Sequence, residues 1–348
     1  MILSIESSCD DSSLALTNIA DAKLVYHIKL SQDKEHSNYG GVVPEIASRL
    51  HAQRLPEILS SLKDFLHNDF SLIKAVAVTS RPGLSVTLIE GLMMAKTLCL
   101  ALQVPLICVN HLKGHIYSLF INNPTPLFPL GILLVSGGHT QILQATSFTH
   151  MGLIAQSLDD SFGESFDKVA KYLHLGYPGG PIVQQMAQEF TQIYSPTPHH
   201  CFPVPLNKTR RLEFSFSGLK NAVRLTIEEA RNSHNLNQET TQSICMGFEQ
   251  SACQHLFQKC ELYFQTPSAQ EIPYFAIVGG ASANIRLRES LESLCQQYHK
   301  ELLLAPFEFC SDNAAMIGRV AIEQYSRGDF TPLHSADISP KSLSGDFL

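Results

Sequence analysis

The chain has 348 residues, 44% of them hydrophobic and 16% charged, with a net charge of −7, 15 His, nine Cys and no Trp. At about 100–200 residues per domain this length holds two domains, and the apolar fraction excludes a disordered chain. No run reaches the roughly 20 apolar residues of a membrane helix; the best candidate, 98–109, is broken by Gln103 and Pro105. The N-terminus carries Glu6, Asp10 and Asp11 where a secretory signal would be basic. The cysteines are odd in number and form no C-x-x-C pair, so free thiols in a reducing cytoplasm are expected, without disulfides or a Cys-based zinc site. The acidic balance argues against a nucleic-acid-binding surface over the whole molecule and leaves room for a local basic one.

In chain order, strands are predicted over 2–8, 13–19 and 23–30, with turns at 9–12 and 18–22. A helix over 44–66 follows, with Leu55, Ile58, Leu62 and Leu66 at helical spacing and Pro44 in its first turn. Then come strand 73–79, helix 85–102, strand 105–109 and a helix from His111. This βββαβαβα order recurs as strands 130–136, 140–146 and 152–157, strand 274–278, helix 284–298, strand 301–304 and helix 312–327. The second copy is interrupted by a helical insertion at about 158–272, with helices over 164–174, 181–194, 218–232 and 238–265. The Pro-rich stretch SPTPHHCFPVPLNKTRR inside it reads as extended and superficial. The expected organisation is a first half at 1–120, a second at 121–330 and a tail at 331–348. The repeated βαβ steps call for α/β sheets with parallel strands covered on both faces. The order resembles the duplicated actin, Hsp70 and sugar-kinase architecture, which implies a nucleotide held in a cleft between two halves.

Several clusters could carry chemistry. His111 and His115, in HLKGH, stand at i and i+4 on one helix face, within reach of one metal ion. Such a pair is also compatible with two ordinary histidines, and Leu112 stands where a zincin needs its Glu. Asp312, at the start of the last predicted helix, is either an N-cap or a third ligand. Two His and one carboxylate leave coordination positions open, as a catalytic site requires. Ser136, Gly137 and Gly138 follow a strand, where backbone N–H groups can line an anion site. Asp10 and Asp11 occupy the equivalent first-half turn. The loop GGASAN, ending at Asn284, precedes a helix and suits a nucleotide without matching a P-loop or dinucleotide fingerprint. Asp167 lies in an acidic helical segment before the turn Tyr177-Pro178-Gly179-Gly180-Pro181. Lys208, Arg210, Arg211, Lys220 and Arg224 form a basic stretch interleaved with Phe214 and Phe216, either a phosphate-contacting patch or a solvated face. No Ser or Cys nucleophile stands out: there is no G-x-S-x-G, and Cys9 has no evident base.

The ordered series IESSCDDS, GGVVPEIASRLH, PGL, HLKGH, LLVSGGHTQ, SFDKVAK, YPGGP, FSFSGLK, GGASAN and SDNAAMIG resembles, over essentially the whole chain, the threonylcarbamoyl-adenosine tRNA-modifying transferase family (TsaD, formerly called glycoprotease). The resemblance implies one metal, iron or alternatively zinc, held by His111, His115 and Asp312. It implies threonylcarbamoyl-adenylate bound by Leu134, Val135, Ser136, Gly137, Gly138, Asp167, Gly180 and Asn284. It also implies transfer to N6 of the adenosine beside the anticodon in tRNAs reading codons that begin with A, with release of AMP. The implied partners, besides tRNA, are a metal-less paralogue of the same fold and a small P-loop ATPase, with no membrane involved. The sequence departs from the family pattern at Asp11, Arg81, Glu90 and Gln184. Asp10 or Asp11 is the candidate base for the accepting amine. The competing expectations are an ATP-dependent kinase of the same fold, a non-catalytic scaffold paralogue and a metallopeptidase.

Overall fold

The computed structural model describes residues 1–341, so the last seven residues of the expected tail lie outside the described residues. The chain divides into two compact units, one comprising 1–36, 42–127 and the described residues from 305 onward, the other 37–41 and 128–304.

The first unit opens with β1 (Ile2–Glu6), β2 (Asp11–Thr17) and β3 (Leu24–Ser31), followed by α1 (Asp33–Ser37) and α2 (Pro44–Phe65). It continues with β4 (Ala75–Arg81), α3 (Ser85–Leu102), β5 (Leu106–Asn110) and α4 (His111–Tyr117). The sheet order is β3-β2-β1-β4-β5, antiparallel up to β1 and parallel from β1 to β5. Alternation along β1 decides what lies on each face. Leu3 and Ile5 join Leu14, Leu16, Val76 and Val78 beneath Leu55, Ile58 and Leu62 of α2 and Leu92 and Ala95 of α3. Each such buried Leu, Ile or Val side chain is worth about 1.5–3 kcal/mol. Ser4 and Glu6 point to the opposite face. Glu90, an acidic departure in α3, accepts a hydrogen bond from Ser48 of α2 at 3.0 Å, so the two helices pack with that carboxylate satisfied. Helix α3 is long and apolar enough to cross a membrane by length and composition, and a third of it is buried.

The second unit has β6 (Leu130–Val135), β7 (Thr140–Ala145) and β8 (Met151–Gln156), then α5 (Phe162–Tyr172), α6 (Gly179–Ile193), α7 (Ser217–Asn232), α8 (Gln238–Phe264) and α9 (Pro267–Gln270). It closes with β9 (Tyr274–Val278), α10 (Ile285–Gln297) and β10 (Glu301–Leu304). Its order, β10-β9-β6-β7-β8, reproduces the first sheet's arrangement and strand directions. The insertion helices share a small cluster of Ala187, Phe190 and Met246 but bury most of their apolar residues in the core of the unit. Phe162 and Phe166 of α5, Phe214 and Phe216 just before α7, Val223 of α7, and Phe248 and Leu256 of α8 share one cluster with Val135, Ile277 and Leu291. The Pro-rich stretch, read as superficial, is pinned along α8. Ser243 Oγ accepts from the backbone N–H of His199 (2.9 Å) and His200 (3.1 Å), and Ser251 Oγ donates to Phe202 O (2.7 Å). Between them at Gly247 a Cβ would stand 1.8 Å from His200 O, so only glycine admits the segment.

The last helix, α11 (Ala314–Arg327), follows β10 in sequence but packs on the first unit. The expected division had assigned it to the second half. Its small N-terminal residues settle where it rests: Ala314 and Ala315 contact Ala15, and Ser4 Oγ donates to Ala314 O at 2.7 Å. A Cβ at Gly318 would approach Thr17 Oγ1 to 2.5 Å and Ser4 Oγ to 2.9 Å, so the helix axis lies close to the sheet.

Candidate metal centre and nucleotide loops

Asn110 ends β5 and caps α4, its Oδ1 accepting from Leu112 N (2.8 Å) and Lys113 N (3.2 Å). The helix therefore begins at His111, and the i, i+4 spacing sets His111 and His115 on one face with ring centroids 4.6 Å apart. Gly114 lies between them, against Met316 and Ile317 of α11, where a Cβ would come within 2.8 Å of Ile317 Cδ1. Close approach of the two helices brings the start of α11 to the histidines.

The N-cap of α11 is Asn313, whose Oδ1 accepts from Met316 N (2.9 Å) while its Nδ2 donates to Ser311 O (2.7 Å) and Phe309 O (3.2 Å). Asp312 is thus released from capping. Its Oδ1 stands 3.4 Å from His111 Nε2 and 3.2 Å from His115 Nε2. Donor atoms about 2.0–2.2 Å from one ion are separated from each other by roughly 3–3.5 Å, and both Asp312–His distances fall in that range. His115 is wholly buried, and its Nδ1 has no hydrogen-bond partner among the described residues. The three side chains could hold a single metal ion.

Glu6, which the sequence reading left out of the site, completes the surroundings. It is wholly buried, with Oε2 3.2 Å from His111 Nδ1, and accepts from Ser8 N (2.6 Å) and the Thr79 hydroxyl. Ser8 Oγ lies 3.1 Å from the same Nδ1. A carboxylate on Nδ1 fixes the tautomer that leaves Nε2 free to ligate. Burial disfavours charge on His111, but Asp312 and Glu6 outweigh it and raise the imidazole well above its ordinary value. Burial likewise works against an ionised Asp312, yet His111 holds the carboxyl well below the usual range. One buried and one partly buried carboxylate thus favour a positive charge among them, as a cation-binding donor set must.

Asp11 opens β2, in the strand and not in the turn expected for it. It accepts from Lys29 Nζ at 2.7 Å, and that ammonium also reaches Ser311 Oγ (2.9 Å) and Asp312 O (3.3 Å). Burial raises the Asp11 carboxyl to about 7 against the pull of Lys29, and burial raises Asp10 as well. Burial pushes the Cys9 thiol well above its ordinary value.

In the second unit, Leu134 and Val135 are core residues whose side chains face the interior, so only the strand end can meet a ligand. The loop after them, Ser136 to Gly138, rests on the start of α5. Ser161 Oγ donates to Gly137 O (2.7 Å), and a Cβ at Gly163 would strike Ser136 O at 2.5 Å. Gly279, at φ +95°, passes against Val135 O. Asp167 Oδ1 accepts from Gly179 N (2.8 Å), which ties α5 to the start of α6. Gln184 of α6 accepts from Ile285 N (2.8 Å), which links Gly180's helix to Asn284. Asn284 caps α10 through Oδ1 on Leu287 N (2.9 Å) and donates to buried Glu249 (2.7 Å). Added Cβ atoms at Gly137, Gly138 and Gly180 meet nothing, which leaves bare backbone beside helix N-termini, a natural anion surface. Of the basic stretch, Lys208, Arg210 and Arg211 are exposed, whereas Lys220 pairs with Asp160 and Arg224 with Glu228.

The family model described as tRNA N6-adenosine threonylcarbamoyltransferase matches residues 23–319. Proteins of that name from Helicobacter hepaticus and Helicobacter pylori are 66% and 58% identical to the chain, with full coverage of both partners in each case. Among solved structures, full-length HypF in a phosphate- and nucleotide-bound form is similar at a TM-score of 0.56 and 14% identity, over 93% of this chain and 46% of that protein. That likeness shows the fold, and the chain spans about half of HypF's length. The sequence relatives show the activity class, a transferase that modifies tRNA, and the chain belongs to the tRNA N6-adenosine threonylcarbamoyltransferase family.

Proposed function

We propose that the chain transfers the threonylcarbamoyl group of threonylcarbamoyl-adenylate to N6 of the adenosine beside the anticodon, in tRNAs reading codons that begin with A. The observation that carries this reading is the buried His111–His115–Asp312 group in a chain of this family. The N6 amine attacks the carbamoyl carbon, the bond to the phosphate oxygen breaks, AMP leaves with that electron pair, and N6 gives up a proton. Asp11 is the proposed acceptor, since its Oδ1 is buried without a hydrogen-bond partner among the described residues and a value of about 7 suits a general base. Asp10 is the second carboxylate beside it. Backbone N–H groups at Gly137, Gly138 and Gly180 bind the adenylate's anionic part, with Asp167 and Asn284 orienting its nucleoside. A metal at His111, His115 and Asp312, iron by resemblance or alternatively zinc, supplies a Lewis acid and a template when bound.

Lys208, Arg210 and Arg211 are the proposed tRNA contacts, being exposed members of the basic stretch that are in no ion pair among the described residues, unlike Lys220 and Arg224. A metal-less paralogue and a small P-loop ATPase are the proposed protein partners. The exposed apolar residues Val86, Ile89, Met93 and Leu100 of α3 support docking of a protein surface there. Nine free thiols accord with a reducing cytoplasm. Mass spectrometry of tRNA after incubation with adenylate and partners tests the chemistry. The expected result is one AMP released per modified adenosine. Phosphate transfer from ATP to a small acceptor, with unmodified tRNA, would point to the kinase instead.

A further inference from the structure

Lys259 of α8 is only 2% exposed, and its ammonium serves a single loop. Nζ donates to Arg211 O at 2.8 Å, to Thr209 O at 3.3 Å and to Leu206 O at 3.4 Å, with Thr209 Oγ1 also 3.4 Å away. The segment 206–211 contains neither helix nor strand, and a hollow of about 260 Å³ lies between it and α8. Three carbonyls converge inward on one donor while Lys208, Arg210 and Arg211 face solvent. A buried ammonium without such acceptors would be costly, so the loop and the lysine fix each other. Setting a fourth cation beneath three others is unfavourable for the loop alone, with Glu213 the acidic group acting on Lys259. The same charge favours binding of a polyanion.

We propose that Lys259 is a positioning residue that holds loop 206–211 so that Lys208, Arg210 and Arg211 meet RNA phosphates. This rests on the reading of that loop as a tRNA contact. The test compares Lys259→Met, Lys259→Arg and the double variant Arg210→Ala/Arg211→Ala in the full chain with its partners. It measures tRNA affinity across salt concentrations, KM for tRNA and for the adenylate, and the rate of tryptic cleavage within the loop. Lys259→Met should speed cleavage, raise KM for tRNA but not for the adenylate, and reduce the salt slope of tRNA binding by about 1–2. Lys259→Arg should restore all of these. Should Lys259→Met not fold, Lys259→Gln carries the same comparison, because it keeps an N–H donor without the charge. Weakened binding by the double variant, with wild-type binding by the lysine variant, overturns the positioning role alone. Wild-type binding by the double variant overturns the loop's tRNA role and this proposal with it.

Discussion

His111 uses its two ring nitrogens differently: Nδ1 faces Glu6 and Nε2 faces Asp312. Replacing Glu6 with Gln should weaken metal binding about 10–100-fold in a chelator competition, because the amide no longer enforces the ligating tautomer. Unchanged affinity would remove Glu6 from that role. His255 offers a stability test. It is buried beside Phe214 and Phe216, and its Nε2 accepts from Ser215 N at 3.2 Å. Burial, with Lys259 adding to it, lowers the imidazole to about 4. Between that value and the ordinary one near 6.5, the unfolded chain binds a proton that the folded chain does not. Stability therefore rises with pH across this window and is lost as pH falls, by up to about 3 kcal/mol. In denaturant titrations from pH 4 to 6.5, His255→Gln should flatten the slope relative to wild type, and an equal slope would contradict the assignment. The histidine pair was legible because i, i+4 spacing is a local property. Glu6 was not, since only the sheet brings it to Thr79, Ser8 and His111. Asp312 was ambiguous until Asn313 took the cap.

Elements with strong periodicity, such as α2 and α3, lie within a residue or two of the spans expected from spacing. What sequence order hid was the crossing of α11 to the first unit, which depends on small residues far apart in the chain meeting across a sheet. Gly318→Ala tests that packing: its Cβ must displace Thr17 Oγ1 and Ser4 Oγ, and a loss of about 1–3 kcal/mol is expected in denaturant unfolding. An unchanged midpoint would show that α11 has room to shift. The Pro-rich stretch lies at the surface as read, and its seat on α8 was hidden for a related reason. Ser243, Gly247 and Ser251 recur every fourth residue on α8, a small-residue track whose partner cannot be named from the helix alone.

At the scale of the molecule, a net charge of −7 and a tRNA substrate are compatible because affinity can reside in one short loop and in partner surfaces. The duplication was readable from element order, and the two sheets share one strand order despite little identity between the halves. Family membership fixes the activity class, and His111, His115 and Asp312 are the side chains that could hold a metal ion in this chain. The most direct test is transfer of labelled threonine to tRNA, with bicarbonate, ATP, the adenylate-making enzyme and the partner proteins, by wild type and by folded His111→Ala. The account predicts labelled tRNA with wild type and none with His111→Ala; equal labelling by both would contradict it.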